Sequence, residues 1–123
     1  MTAVERIGRD DLEEATGTKG LRRQVALADD GFWIGIATAD PAAASGWHHH
    51  TDNETLVYLI DGTLRIEFGE DGDRYAEAAE GEFLHVPPNT IHREVNPASG
   101  PTHALVIRVG KGEPVVNVPG PGS

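Results

Sequence analysis

Three consecutive histidines stand in the stretch Trp47-His48-His49-His50-Thr51-Asp52-Asn53-Glu54. Along an extended strand, side chains alternate between faces, so His48 and His50 point one way and His49 the other. Two imidazoles on one face, with the Glu54 carboxylate nearby, are suitable ligands for a divalent transition metal. A further nitrogen has to come from a distant part of the chain. The candidate is His92, in Pro87-Pro88-Asn89-Thr90-Ile91-His92-Arg93-Glu94-Val95-Asn96. Imidazoles turned into the dry interior of a β-domain carry a desolvation cost. Coordination removes that cost, because each ring binds through one nitrogen and its second N–H needs only one acceptor. The expected metal ligands are therefore His48, His50, Glu54 and His92. The plainer alternatives are a solvated histidine loop and a hydrogen-bonded structural histidine at position 92.

Together, the two stretches resemble the paired motifs of the cupin family. Gly46, His48, His50, Glu54 and Gly62 stand in the order of the first motif, and Gly81, Pro87, His92 and Asn96 stand at the spacings of the second. The resemblance implies an all-β fold, a double-stranded β-helix or jelly-roll barrel with its site inside the mouth. It also implies a homodimer, since small single-domain members commonly pair through their N-terminal strands. The hairpin over residues 21–38, which carries Phe32 and Trp33, is the expected contact.

Three departures from the pattern bear on the site. Gly46 lies closer to His48 than the family has it. Asn89 replaces a glycine, and Asn is the next best residue for a left-handed turn. Seven residues, rather than six, separate Glu54 from Gly62, and counting back from Gly62 puts Thr55 at the glutamate position. A bulge between Glu54 and Tyr58 would absorb the extra residue and keep Glu54 as a ligand. Otherwise Glu54 is no ligand, and a shifted register would turn His49 inward instead of His48 and His50. The bulge is the favoured expectation.

The chain has to supply strands to position the histidines. Its 123 residues suit a single core, and 15 Gly with 8 Pro suit the many turns of an all-β domain. Hydrophobic runs with turn signals between them place strands over residues 21–28, 32–38, 54–60, 63–68, 74–78, 82–86, 91–95, 102–109 and 113–118. Asp61-Gly62 reads as a hairpin turn joining two of them. Residues 1–20 are expected to be a polar lead-in with one helical turn over 10–15, residues 21–118 the domain, and residues 119–123 a frayed tail.

Composition excludes several classes of function. A formal net charge of −10 argues against nucleic acid. Cysteine is absent, which removes disulfides, thiolate metal sites and cysteine nucleophiles. The N-terminus lacks the apolar core of a signal peptide and no run is long enough to span a membrane, so a cytoplasmic location is the default expectation. No Ser-His-Asp arrangement or phosphate-cradling glycine loop is present.

The expected function is that of a mononuclear metal enzyme acting on a small oxygen-containing molecule, of the dioxygenase, isomerase or lyase type found in the family. Three nitrogens and one carboxylate suit Fe, Mn, Ni, Zn or Co alike. His85, His103 and Tyr58 are candidate catalytic groups. His103 is expected to share a buried face with Leu105, Ile107 and Val109, and His85 to face inward if Phe83 does. Arg93 is a candidate contact for a substrate oxygen. A non-catalytic metal- or ligand-binding module is the alternative, and a metal-free cupin a third.

Overall fold

A computed structural model describes residues 3–123; Met1 and Thr2, which belong to the N-terminal segment considered above, lie outside the described residues, as does the side chain of Thr16. A 3-10 turn at Arg9–Asp11 precedes eleven strands. These are β1 (Glu13–Thr18), β2 (Leu21–Asp29), β3 (Phe32–Ala39), β4 (His48–His49), β5 (Glu54–Asp61), β6 (Thr63–Phe68), β7 (Arg74–Ala79), β8 (Phe83–Val86), β9 (His92–Val95), β10 (Thr102–Val109) and β11 (Val116–Asn117). All pairings are antiparallel, in a six-stranded sheet ordered β1-β2-β3-β10-β5-β8 and a five-stranded sheet ordered β11-β4-β9-β6-β7. Among the described residues no helix is long and apolar enough to cross a membrane.

The two sheets enclose one core, built from Val57, Leu59, Leu64, Ile66, Ala78, Leu84, Val86, Ala104 and Val106. Period-two alternation supplies it from both layers. Along β5, Thr55, Val57 and Leu59 are buried, whereas Glu54, Leu56 and Ile60 are exposed. The outer face of the six-stranded sheet is itself apolar in part, with Leu56, Ile60, Phe83 and Val109 exposed.

Three expectations about the chain path are corrected. The segment expected to be a lead-in contains β1, an edge strand paired with β2 and tied across to it by the Glu14–Arg22 ion pair. Its polar sequence, Glu13-Glu14-Ala15-Thr16-Gly17-Thr18, gives no alternating apolar signal to announce it. Second, Asp61-Gly62 joins no hairpin: β5 and β6 belong to different sheets, and the chain crosses between layers at that corner. Gly62 has φ +81°, and a Cβ there would lie 2.5 Å from Thr102 Oγ1. That hydroxyl fastens the corner, donating to the Thr63 carbonyl at 2.6 Å and accepting from the Thr63 N–H at 3.0 Å. Third, the register between β5 and β10 is unbroken from Glu54 to Leu59 and shifts only between Leu59 and Asp61. The extra residue is thus absorbed beyond Tyr58, and nothing before it turns Glu54 inward.

The turns around the histidines hold one another. Asn89 adopts the expected left-handed conformation, φ 57°. Its N–H donates to the Thr51 carbonyl at 2.7 Å and its side-chain amide to Asp52 at 3.1 Å. Thr51 is also left-handed, φ 51°, which is uncommon for a β-branched residue. Its hydroxyl and backbone N–H are bonded to the Glu113 carbonyl (2.7 Å) and His49 Nδ1 (3.1 Å) respectively. Fully buried Asn96 donates to the carbonyls of Ala39, Asp40 and Gly100, locking the exit from β9.

Candidate metal centre

His48 on β4 and His92 on β9 are direct cross-strand partners, and His50 follows two residues after His48 on the same face. All three are buried, at 3%, 3% and 1% exposure, while His49 is turned to the other side of the strand. Ring centroids of the three lie 4.5–5.0 Å apart. Glu94 stands two residues after His92 and therefore on the same face. Ligand atoms of His48, His50, His92 and Glu94 all lie within 4.8 Å of one another.

Each ring is oriented by its far nitrogen. His48 Nδ1 lies 2.8 Å from the Gly46 carbonyl, His50 Nδ1 2.6 Å from that of Pro114, and His92 Nδ1 2.8 Å from that of Thr90. A carbonyl only accepts, so Nδ1 carries the proton in all three, and the Nε2 lone pairs point at a common region. His48 Nε2 is buried without a hydrogen-bond partner among the described residues, although a Glu94 oxygen lies 3.3 Å away. Lone pairs and a carboxylate facing one another repel unless a cation or a proton sits between them. A divalent metal fits this donor set, and the second N–H of each ring already has the acceptor that metal-bound histidines use.

The charge states follow from the same packing. Burial pushes the Glu94 carboxyl upward, but His48 and His92 beside it outweigh that and hold it well below the usual carboxylate range. Burial likewise works against charge on His48, and Glu94 reverses it, so His48 is raised. His50 has no carboxylate of its own: burial, then the Arg108 charge, lower it to about 3. Its ring is neutral at any physiological pH.

A family model for the cupin domain matches residues 35–108, the span from the middle of β3 to the end of β10. The chain belongs to the cupin family. Solved structures with the same fold include the polyketide cyclase RemF from Streptomyces resistomycificus, at 22% identity over 94% of this chain and 86% of that one, TM-score 0.76. A Klebsiella pneumoniae protein with a double-stranded β-helix domain superposes at TM-score 0.72 with 14% identity, covering 85% of this chain and 89% of its own. The Mn(II) oxalate decarboxylase of Bacillus subtilis matches at TM-score 0.72 and 23% identity over 86% of this cupin and 30% of that larger chain. In sequence, the uncharacterized protein YdbB of Bacillus subtilis is 34% identical over 47 residues, 38% of this chain and 40% of that protein's length.

Within this cupin, the expected ligands separate. His48, His50 and His92 come together; Glu54 does not join them. Its carboxylate lies on the outer face, 2.7 Å from His85 Nε2, with both side chains 50% exposed. The unbroken register at the start of β5 turns Thr55 inward at the position the family reserves for glutamate, and the carboxylate comes from Glu94 instead. The signal for Glu94 was its i+2 spacing from His92, which puts it on the face of a ligand. The other candidates are outside the site. His85 and Phe83 share the exposed face of β8, and the Tyr58 ring packs at a tilt against Phe83, 4.8 Å between ring centroids. His103 pairs with Asp61 at 2.8 Å, half-exposed. The face expected for it was inverted: Thr102, Ala104, Val106 and Arg108 are the buried side of β10, and the apolar Leu105-Ile107-Val109 side looks outward. Arg93 lies outside too, bonded to Glu67 at 2.6 Å and lying 4.9 Å from the Trp47 ring centroid.

Proposed function

We propose that this cupin is a mononuclear metal-dependent enzyme for a small oxygen-containing molecule, with His48, His50, His92 and Glu94 as the protein ligands of one divalent transition metal. The observation that supports it most is the triple anchoring of Nδ1, which leaves three Nε2 atoms and a carboxylate converging within 4.8 Å. Three nitrogens and one oxygen are compatible with Fe, Mn, Ni, Zn or Co. Such an ion, when bound, supplies a Lewis acid that polarises a coordinated oxygen.

The chain's own residues define what reaches that oxygen. A cavity of about 380 Å³ opens beside His48, between Trp33, Arg23, Arg108 and Pro114, and is large enough for a small metabolite. Val57, Leu64, Ile66 and Val86 give a second, smaller space of about 40 Å³ beside His92 and Glu94 largely apolar walls. The open cavity beside the ligands favours an enzyme over a storage module, whose site has no need of access.

Elemental analysis of protein made without a histidine tag tests the reading, with His92→Ala as control. About one divalent ion per chain is expected in the parent, with clear loss in the variant. Equal metal in both would remove His92 from the site.

A further inference from the structure

Arg108 stands in the middle of the six-stranded sheet with its side chain turned inward, 5% exposed. An ionised guanidinium so buried normally has a carboxylate or several carbonyls around it. Here Nε has no acceptor among the described residues, and none of their carboxylates forms an ion pair with the group. Its orientation comes from Trp33, its cross-strand neighbour on β3, whose ring centroid lies 4.6 Å from Cζ. Gly35 makes room for that ring; a Cβ there would lie 2.7 Å from Trp33 Cη2. On the other side, the cross-strand neighbour on β5 is Thr55, whose buried hydroxyl also lacks a partner among the described residues.

These unsatisfied groups share one space. Arg108 and Thr55 line an inner cavity of about 40 Å³ together with His92, Glu94 and Arg23. Arg23 and Arg108 also line the larger cavity that opens beside His48, so both cations border the two spaces. A third arginine of the inner lining, Arg22, is paired with Glu14; against Arg23 and Arg108 the lining offers a single carboxylate, Glu94, which already faces His48 and His92. A divalent ion on the histidines would add two further positive charges. The chain as a whole carries −10, so its interior is positive where its overall balance is negative.

We propose that the substrate of this cupin carries a carboxylate that docks on Arg108, with the Thr55 hydroxyl as a second donor and Arg23 as a second cation at the entrance. The identification of the site as an enzyme's metal centre is the reading on which the word substrate rests; the anion site itself stands on a buried guanidinium whose Nε has no acceptor among the described residues. A planar guanidinium presents paired N–H donors that match the two oxygens of a carboxylate, and a buried ion pair of this kind selects strongly against a neutral analogue. The 40 Å³ inner space accommodates the carboxylate head, and the remainder of the molecule occupies the outer cavity.

Propionate and its neutral isostere propionamide separate charge recognition from shape. Titrations of metal-free and zinc-loaded protein, followed by the Arg108 Nε–H resonance, should show propionate bound at least about tenfold more tightly than propionamide in both forms. The resonance should move downfield as the carboxylate binds. Arg108→Gln should lose about tenfold or more of this affinity, Arg108→Lys should recover part of it, and both should keep the parent's metal content. Thr55→Val should lose a few-fold. Equal binding of propionate and propionamide to wild-type protein, or an Arg108 resonance indifferent to propionate, would overturn the proposal without recourse to any variant. Propionate selectivity in a protein that takes up no metal would support the anion site while refuting the metal centre.

Discussion

Histidine and carboxylate meet in two settings in this molecule, and only one of them has the form of a ligand set. On the outer face, His85 lies 2.7 Å from Glu54 and His103 2.8 Å from Asp61, each pair about half-exposed. Inside, the contacts to Glu94 are longer, 3.3 Å from His48 and 3.8 Å from His92. The shorter contacts are the less consequential ones. Exposed pairs are screened by solvent, and each is complete in itself. The inner group is incomplete: three rings are fixed from behind by backbone carbonyls, and their free nitrogens face a carboxylate that cannot donate to them. Proximity makes an ion pair; convergence of acceptors makes a cation site.

Substitutions should reproduce that contrast. The largest effect is expected for His92→Ala, which removes a ring that is 1% exposed and lies opposite His48; metal affinity measured by chelator competition should fall on the order of 100-fold or more. Glu94→Gln keeps the shape but removes the only anion among the four converging side chains, and should cost roughly 10- to 100-fold in the same assay. Both would break the comparison if they behaved like changes on the outer face.

Acidification comes next in size. His48 is raised by Glu94, so the metal-free site takes up a proton there more readily than a free imidazole does, and metal must displace it. Metal retention should therefore weaken as pH falls, and begin to do so before a free imidazole would titrate. His50, lowered to about 3, binds a proton far more readily unfolded than folded. Stability of the metal-free protein due to His50 is present above its unfolded pKa and lost as pH falls through the interval down to about 3. The depressed Glu94 acts in the same direction. Thermal unfolding of the metal-free protein across this range should show stability declining toward acid. Glu54→Gln is the smallest change, within about 0.5 kcal/mol in stability and silent in metal affinity.

Much of this arrangement was legible in the sequence, and the failures share a cause. The strands with clear period-two patterns, such as Thr63–Phe68 and Thr102–Val109, have the boundaries that the pattern predicts. Polar β1 does not announce itself, because an edge strand half in water has little apolar surface to alternate. Orientation was harder than existence. Residues 103–109 alternate apolar with polar or small, and hydrophobicity points Leu105, Ile107 and Val109 inward. They face out, onto an apolar outer surface, because the inner side of β10 carries small residues and one arginine. That inversion hid Arg108, and the position of the bulge hid Glu94. A one-residue displacement of a bulge exchanges Glu54 for Thr55 at the inner face, and such a displacement depends on how β5 pairs with β10, which no local pattern records.

The most direct test of the account is an anomalous-difference map from crystals grown with a cobalt(II) salt. A single strong peak within about 2.0–2.3 Å of His48 Nε2, His50 Nε2, His92 Nε2 and a Glu94 oxygen is expected. A map empty at that point, or one whose peak lies between Glu54 and His85, would contradict it.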